Sequence, residues 1–237
     1  MRLNQYVARH GFGARRAIDT MISAGRIAVN DIIITQLGYK IDPTKDSVTI
    51  DGTNRIEPQS ITKLVYILFN KPRGVVTTAK DELGRKTVLD CVKVSERIVP
   101  VGRLDRDTTG VLLLTNDGDL HNKLIHPSQE VTKEYVVLLN RDLTPQDRTT
   151  LEQGILLEEG MTRPCEITPD PNNPMRATII LHEGKKRQIR RMLESLEYSV
   201  RTLDRVSFAG LTYTGLTEGK WRHLTSQEVV ELKKKSS

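Results

Sequence analysis

The stretch that most limits what this chain can become is GRLDRDTTGVLLLTNDGDL, residues 102–120. Its centre, Val111 to Leu114, is the most apolar strand-like run in the sequence, and turn formers close it on both sides: Asp107-Thr108-Thr109-Gly110 before, Asn116-Asp117-Gly118 after. Such a run reads as a buried strand, so the fold has to supply a sheet that hides it. Asp107, Asp117 and Asp119 are accounted for as turn and helix-start residues. Asp105 is not. Arg103 and Arg106 flank it and Leu104 has to face the core, and a carboxylate between two guanidinium groups is expected to have a depressed pKa and stay ionised.

Further candidate strands at 64–70, 74–78, 134–140 and 176–182 are interspersed with helices near 118–125, 144–153, 186–197 and 226–234. This mixed order predicts an α+β domain around a mostly antiparallel mixed sheet. The first 52 residues read as a separate unit. Leu3, Tyr6, Val7 and His10 have helical spacing, Gly11-Phe12-Gly13 breaks it, and Ala17, Ile18, Met21 and Ile22 restart it. Residues 26–34 then read as strand, tight turn at Asn30-Asp31, and strand, with another strand at 46–51. GTNRIEPQSITK, residues 52–63, has no periodic apolar face and reads as a linker, which gives domains 1–58 (linker included) and 59–237.

Thirty-six Lys and Arg against 30 Asp and Glu leave a formal charge of +6. That favours an acidic partner, though charge alone does not separate nucleic acid from a membrane surface. No apolar stretch approaches the roughly 20 residues a bilayer span needs, and MRLNQYVARHG lacks the apolar core of a signal peptide. The two cysteines, Cys91 and Cys165, form no CxxC pair, so neither a disulfide framework nor a thiolate zinc site is expected, and a reducing cytoplasm fits. Arg9, Arg15, Arg16 and Arg26 give the first unit a basic outer face. In EGKKRQIRRM, Ile189, Met192, Leu193 and Leu196 make one apolar helical stripe, with Arg187, Arg190 and Arg191 together on the other side and Lys185 and Lys186 at the helix entrance. Taken alone, such clusters usually mean a solvated face.

Two other chemistries fit poorly. Asp105-Arg106-Asp107-Thr108-Thr109 matches a D-x-D-x-T phosphoryl-transfer loop, but there the apolar strand precedes the first aspartate and here it follows. Zinc deaminases pair H-x-E with P-C-x-x-C, and only the fragments His182-Glu183 and Pro164-Cys165 occur.

RLNQYVARHGFGARRAIDTMISAGRIAVND, at the N-terminus, resembles the S4 RNA-binding module, with Ala14 where a capping serine is usual and Asp31 where the hairpin usually has glycine. FNKPRGVVTT (69–78), GRLDRDTTGVLLLTNDGDL (102–120), KEYVV (133–137), EGKKRQIRRM (183–192) and EGKWRHLT (218–225) resemble, in order, the motifs of ribosomal RNA pseudouridine synthases of the RsuA/RluB type. The resemblance spans essentially the whole chain.

It implies isomerisation of a specific uridine in ribosomal RNA by flipping the base out, cleaving the glycosidic bond and rejoining at C5, with no metal or other cofactor. By the same resemblance Asp105 is the catalytic carboxylate, attacking C1′ or removing the 2′ proton. Tyr135 stacks on the extruded uracil, Arg190 pairs with Asp105, and Ile189 lines the uracil pocket. Arg103 fills the gap left by the base; Arg15, Arg16, Arg26, Asn30, Lys185, Lys186, Arg187 and Arg191 contact RNA; Lys71 is structural or RNA-facing. The partner is ribosomal RNA or a ribosome assembly intermediate, no membrane is involved, and a monomer is the default. The competing reading is a catalytically inactive RNA-binding or ribosome-assembly factor.

Overall fold

A computed structural model describes residues 1–58, 63–79 and 81–235. They fall into two compact units, Met1–Leu64 and Val65–Ser237. Among the described residues no helix is long and apolar enough to cross a membrane.

In the first unit, α1 (Leu3–Arg9) and α2 (Arg15–Ser23) pack on a four-stranded antiparallel sheet of order β2-β1-β3-β4, formed by β1 (Ile27–Val29), β2 (Ile32–Ile33), β3 (Val48–Ile50) and β4 (Asn54–Ile56). The spacing read from the sequence is what builds its core: Leu3, Tyr6 and Val7 of α1 and Ile18 and Ile22 of α2 are buried against Ile27, Val29, Val48 and Ile50. Ala14 stands at the N-cap of α2 and makes no capping hydrogen bond. The β1–β2 turn has left-handed φ values at both Asn30 and Asp31, 48° and 65°, as a tight two-residue hairpin requires. One reading needs correction: residues 54–56, placed in a linker, form β4 on the edge of this sheet. Ile56 is buried there while its neighbours are exposed, so a three-residue strand offers too few positions for a period to show.

The second unit comprises β5 (Tyr66–Lys71), α3 (Val88–Cys91), β6 (Val99–Pro100), β7 (Thr108–Thr115), α4 (Gly118–Ile125), β8 (Lys133–Leu139), α5 (Pro145–Gln153), β9 (Leu156–Leu157), β10 (Gly160–Met161), β11 (Glu166–Asp170), β12 (Asn173–Leu181), α6 (Gln188–Glu194), β13 (Val200–Phe208), β14 (Leu211–Thr212), β15 (Trp221–His223) and α7 (Ser226–Lys234). Among the described residues one mixed sheet runs β11-β12-β8-β13-β7-β5-β15, with β14 on β13 and β6 on β7. Every pairing in it is antiparallel except β13 with β7. The Val111–Leu114 run lies at its heart with both faces covered: Val111 and Leu113 face α4 and α7, Leu112 and Leu114 face α3.

β7 begins three residues earlier than its apolar run suggests. Thr108, Thr109 and Gly110, read as a turn, pair in parallel with Leu203, Asp204 and Arg205. Gly110 has φ +102°, and a Cβ there would collide with the Arg205 carbonyl and the Asp204 carboxylate. The glycine is needed for this close backbone approach, not for a chain reversal. Thr109 Oγ1 donates to Asp204 Oδ1, whose other oxygen accepts from Tyr213, so side chains reinforce the same junction. Residues 74–78, read as a strand, hold only an isolated bridge from Val76 to Thr87.

That segment braces the loop before β7. Lys71 is fully buried, and its Nζ donates to the carbonyls of Pro72 (3.1 Å), Arg106 (3.3 Å) and Thr108 (2.8 Å). The Gly74 amide donates to the Arg106 carbonyl, and the Thr77 hydroxyl donates to the Leu104 carbonyl at 2.7 Å. Burial pushes the Lys71 pKa down to about 8, opposed by Asp107 and Asp105. Lys71 is therefore structural; its burial rules out an RNA-facing position.

Two outcomes are expected. Gly110→Ala combines a disfavoured φ with a backbone clash and should cost about 3 kcal/mol or more; a urea-unfolding midpoint indistinguishable from wild type would refute the junction as described. At the C-terminal end, Glu228 accepts from Arg222 at 2.7 and 2.8 Å and completes the capping box of α7. The Arg222 hydrogen bond leads in holding its pKa down, to about 2. A carboxylate depressed on folding contributes stability above its unfolded value of about 4.3 and loses it as pH falls through its folded value. Glu228→Gln should therefore lower stability by about 1–2 kcal/mol at neutral pH, with the gap to wild type closing toward pH 2, as thermal melts across that range would register.

Candidate active site

One cavity of about 540 Å³ lies on the face of the sheet covered by α6. The braced loop before β7 contributes Arg103, Leu104 and Asp105; β8 contributes Lys133 and Tyr135; β13 contributes Leu203, Arg205 and Phe208; the segment ahead of α6 contributes Lys185, Lys186 and Arg187, and Ile189 follows from the helix. These residues lie up to 105 positions apart in the chain. β7 and β8 are both hydrogen-bonded to β13, which brings them together: Thr108 opposes Leu203, Leu203 opposes Val137, and Arg205 opposes Tyr135.

Asp105 is half-buried and Arg103 exposed at the rim. The flanking arginines do not neutralise Asp105: Arg103 and Arg106 face solvent and form no ion pair with it among the described residues. Tyr135 is half-buried between the cores on either side of it. Ile189 is buried in the α6 core and reaches the cavity wall.

Arg190 departs most from expectation. It is only 8% exposed, set among Ile189, Met192 and Leu193, and does not share an outer face with Arg187 and Arg191. α6 is also shorter than the span from 186 to 197: Arg187 caps it in a left-handed conformation, φ 51°, so helical spacing does not extend back to Lys185. No direct pair joins Arg190 to Asp105 among the described residues. The guanidinium instead donates to the carbonyl of Val200 at 3.3 Å and, at the long limit of 3.5 Å, to that of Asp107, and its Nε is buried without a partner. Burial and then the Arg187 charge pull its pKa down, while Asp105 and Asp107 act to keep it protonated. Arg190 thus lies within electrostatic reach of Asp105 and is bound to the backbone of β13 and of the loop that carries Asp105.

The segment 183–188 is itself held rigid. Gln188 donates to Glu183 at 2.6 Å and accepts from the Lys185 amide, and Lys185 Nζ donates to the carbonyls of Gly160 and Met161. Lys186 is exposed. Arg187 reaches Glu194 at 3.6 Å, and Arg191 forms a close ion pair with Glu159 at 2.7 Å. In the first unit Arg15 and Arg16 are exposed at the start of α2. Arg26 forms a two-point ion pair with Asp51. Asn30 spends its side chain on Asp46 and the Ser47 amide, tying the hairpin turn to β3. Sequence reasoning passed over Lys133 and Arg205. Lys133 could have been found, because it stands two residues before Tyr135 and so faces the same side of its strand. No group of three His, Cys, Asp or Glu side chains able to hold a metal occurs among the described residues.

The family model described as RNA pseudouridylate synthase matches residues 65–195, and the S4 domain model matches residues 1–47. Ribosomal large subunit pseudouridine synthase B of Bacillus subtilis (strain 168) is 40% identical over 240 residues, covering 98% of this chain and 95% of the relative. Dual-specificity RNA pseudouridine synthase RluF of Escherichia coli (strain K12) is 35% identical over 232 residues, covering 98% and 78%. A solved pseudouridylate synthase structure superposes with a TM-score of 0.70 at 25% identity, covering 98% of this chain and 99% of that one. The chain therefore belongs to the RNA pseudouridylate synthase family, and it carries an S4 domain ahead of the synthase unit.

Proposed function

We propose that this chain converts a specific uridine of ribosomal RNA to pseudouridine, as a cytoplasmic monomer, with Asp105 as the catalytic carboxylate. The observation that carries the reading is the convergence of Asp105, Tyr135 and Ile189, from three separate motifs, on one cavity with Lys186 and Arg187 at its lining. A protein that only bound RNA would have no use for a carboxylate held there, since phosphates repel it. The ribosomal RNA target is supported by the name of the Bacillus subtilis relative, a ribosomal large subunit pseudouridine synthase; the Escherichia coli relative is named for RNA with dual specificity.

The reaction needs a base taken out of its stack, which costs a few kcal/mol. Arg103, exposed beside Asp105, enters the space the base leaves, and the Tyr135 ring stacks on the extruded uracil, worth about 1–3 kcal/mol. Ile189 closes the apolar wall. Asp105 then acts at the sugar, bonding to C1′ or taking the 2′ proton. Arg190 is the positioning residue: its bonds to backbone carbonyls keep a positive charge behind Asp105 without neutralising it by direct pairing, which leaves a carboxylate oxygen available for the sugar. Arg15, Arg16 and Lys186 contact the RNA backbone, Lys185 with the one ammonium proton that the Gly160 and Met161 carbonyls leave it and Arg187 by releasing Glu194. Arg26 and Arg191 would have to exchange their carboxylate partners for phosphates, and Asn30 shapes the hairpin that presents its neighbours.

Incubation with ribosomal RNA transcripts carrying tritium at uracil C5 should release the label from one position. Asp105→Asn should lower the release rate by at least about 10³-fold while the affinity for RNA changes by less than twofold; normal turnover by this variant would overturn the assignment. Replacing Arg15 and Arg16 together by Ala should weaken RNA binding and reduce the slope of log affinity against log salt by about 1.4–1.8, as expected for two lost phosphate contacts. An unchanged salt slope would remove them from the interface.

A further inference from the structure

Two cations of the cavity have no task in the reaction as described so far. Arg205 is 2% exposed. Its Nε donates to the Val111 carbonyl at 2.8 Å, its guanidinium lies 4.8 Å from the centre of the Phe208 ring, and its Nη2 is buried without a partner. No carboxylate forms an ion pair with it among the described residues. Lys133, half-buried, donates one hydrogen bond from Nζ, to the Val131 carbonyl at 2.7 Å, leaving two ammonium protons available. Burial and then the Arg205 charge push its pKa down to about 8; Glu183 alone acts in the other direction. Glu183 is already engaged, since its Oε1 accepts from the Arg163 amide and from Gln188.

Two neighbouring cations taken out of water with no paired counter-ion destabilise the fold, and an anion arriving between them relieves that cost. The register locates where. Asp105 precedes Thr108, which opposes Leu203; Tyr135 opposes Arg205; Lys133 opposes Phe208. Along β8 and β13 the order is therefore Asp105, then Tyr135 with Arg205, then Lys133. With the sugar at Asp105 and the base on Tyr135, the ring atoms farthest from C1′ point toward Lys133.

We propose that Lys133 and Arg205 form an anion site at the base end of the cavity, which stabilises the uracil monoanion released when the N1–C1′ bond breaks. This rests on the pseudouridine synthase reading above. The bond breaks with its electron pair on the base, spreading negative charge over N1, O2 and O4. C1′ bonds to the Asp105 carboxylate, or the C2′ proton moves to Asp105 and a C1′–C2′ double bond forms. In the second half C5 bonds to C1′, Asp105 leaves as carboxylate or returns the proton to C2′, and the C5 proton passes to water while N1 takes one up, which completes the isomerisation with no net change in protons. On either route the base is anionic between the two halves, and that is the species the two cations meet. The site acts on charge that develops during the reaction, so it should affect rate more than RNA affinity.

The test compares single-turnover rates on transcripts carrying uridine or 5-fluorouridine at the target position. Fluorine makes the base a better leaving anion and so less dependent on outside stabilisation. Lys133→Met should slow cleavage about 100-fold on uridine and less than tenfold on 5-fluorouridine, with RNA dissociation constants within twofold of wild type. Lys133→Arg should recover most of the rate, and melting temperatures check that both variants are folded. In a second arm, 5-nitrouracil, anionic at neutral pH, should bind the full chain at least tenfold more tightly than uracil, and Lys133→Met should abolish the preference.

Equal slowing on both substrates overturns the proposal. So does a loss confined to RNA affinity with an unchanged rate, which would assign the cations to a backbone phosphate. If the wild-type chain makes no pseudouridine, the function fails on that result alone. The 5-nitrouracil arm then still decides the site: a preference abolished by Lys133→Met upholds it as an anion site, and no preference overturns it.

Discussion

The parallel contact between β7 and β13 is the constraint on which the second unit depends. It joins β11, β12 and β8 on one side to β5 and β15 on the other, and it is made where Gly110 lies against the Arg205 carbonyl. With a side chain at 110 the backbones could not approach so closely, and the two halves of the sheet would separate. Asp105 comes from one half and Tyr135 and α6 from the other. The packing requirement of the sheet and the assembly of the cavity are thus met by one glycine, with the Thr109–Asp204–Tyr213 hydrogen bonds closing the same junction.

Around that junction the chain spends buried polar groups on backbone carbonyls. Lys71 donates to three of them, Arg190 to two and Arg205 to one. A cation bound to carbonyls keeps its charge, whereas one bound to a carboxylate has it neutralised. A potential that would favour an anionic base can therefore be maintained without a direct ion pair to a protein carboxylate. The arrangement also explains why FNKPRGVVTT accompanies GRLDRDTTG: the first stretch supplies Lys71, Gly74 and Thr77 to fix the carbonyls on either side of Asp105.

Parts of this were legible in the residues. The α1 and α2 spacings, the Asn30-Asp31 hairpin and the Val111–Leu114 strand depend on local periodicity and turn chemistry, and they formed as read. β13, the strand at the junction, was missed altogether. Its central residues, Thr202 to Ser207, include Asp204 and Arg205, so the apolar alternation that marks a strand is broken by the groups that serve the junction and the cavity. Gly110 misled for a related reason, since a glycine after Asp-Thr-Thr reads as a turn when nothing local reveals the backbone of Arg205, 95 residues further along the chain. Arg190 was expected on an outer face because a helical wheel has no knowledge of what covers each side. Burial of a guanidinium becomes tolerable only when carbonyls from β13 and the Asp105 loop meet it, and that is tertiary information. The cavity residues themselves came from motif resemblance, because neither composition nor period distinguishes Tyr135 from an ordinary core tyrosine.

The positive charge of the chain thus divides by solvent access. Arg15, Arg16 and Lys186 are exposed, where attraction to phosphate is screened within about 8–10 Å at ordinary ionic strength and contributes affinity that salt removes. Lys133, Arg190 and Arg205 lie in surroundings with little water, where a charge acts more strongly but is costly to hold unpaired. For an enzyme that must seize a highly charged polymer, yet discriminate between a neutral base before bond cleavage and an anionic one after it, the two kinds of cation cannot substitute for each other. Moving the buried ones outward would strengthen a grip that is already available and remove the field by which the proposed anion site would tell the two states of the base apart.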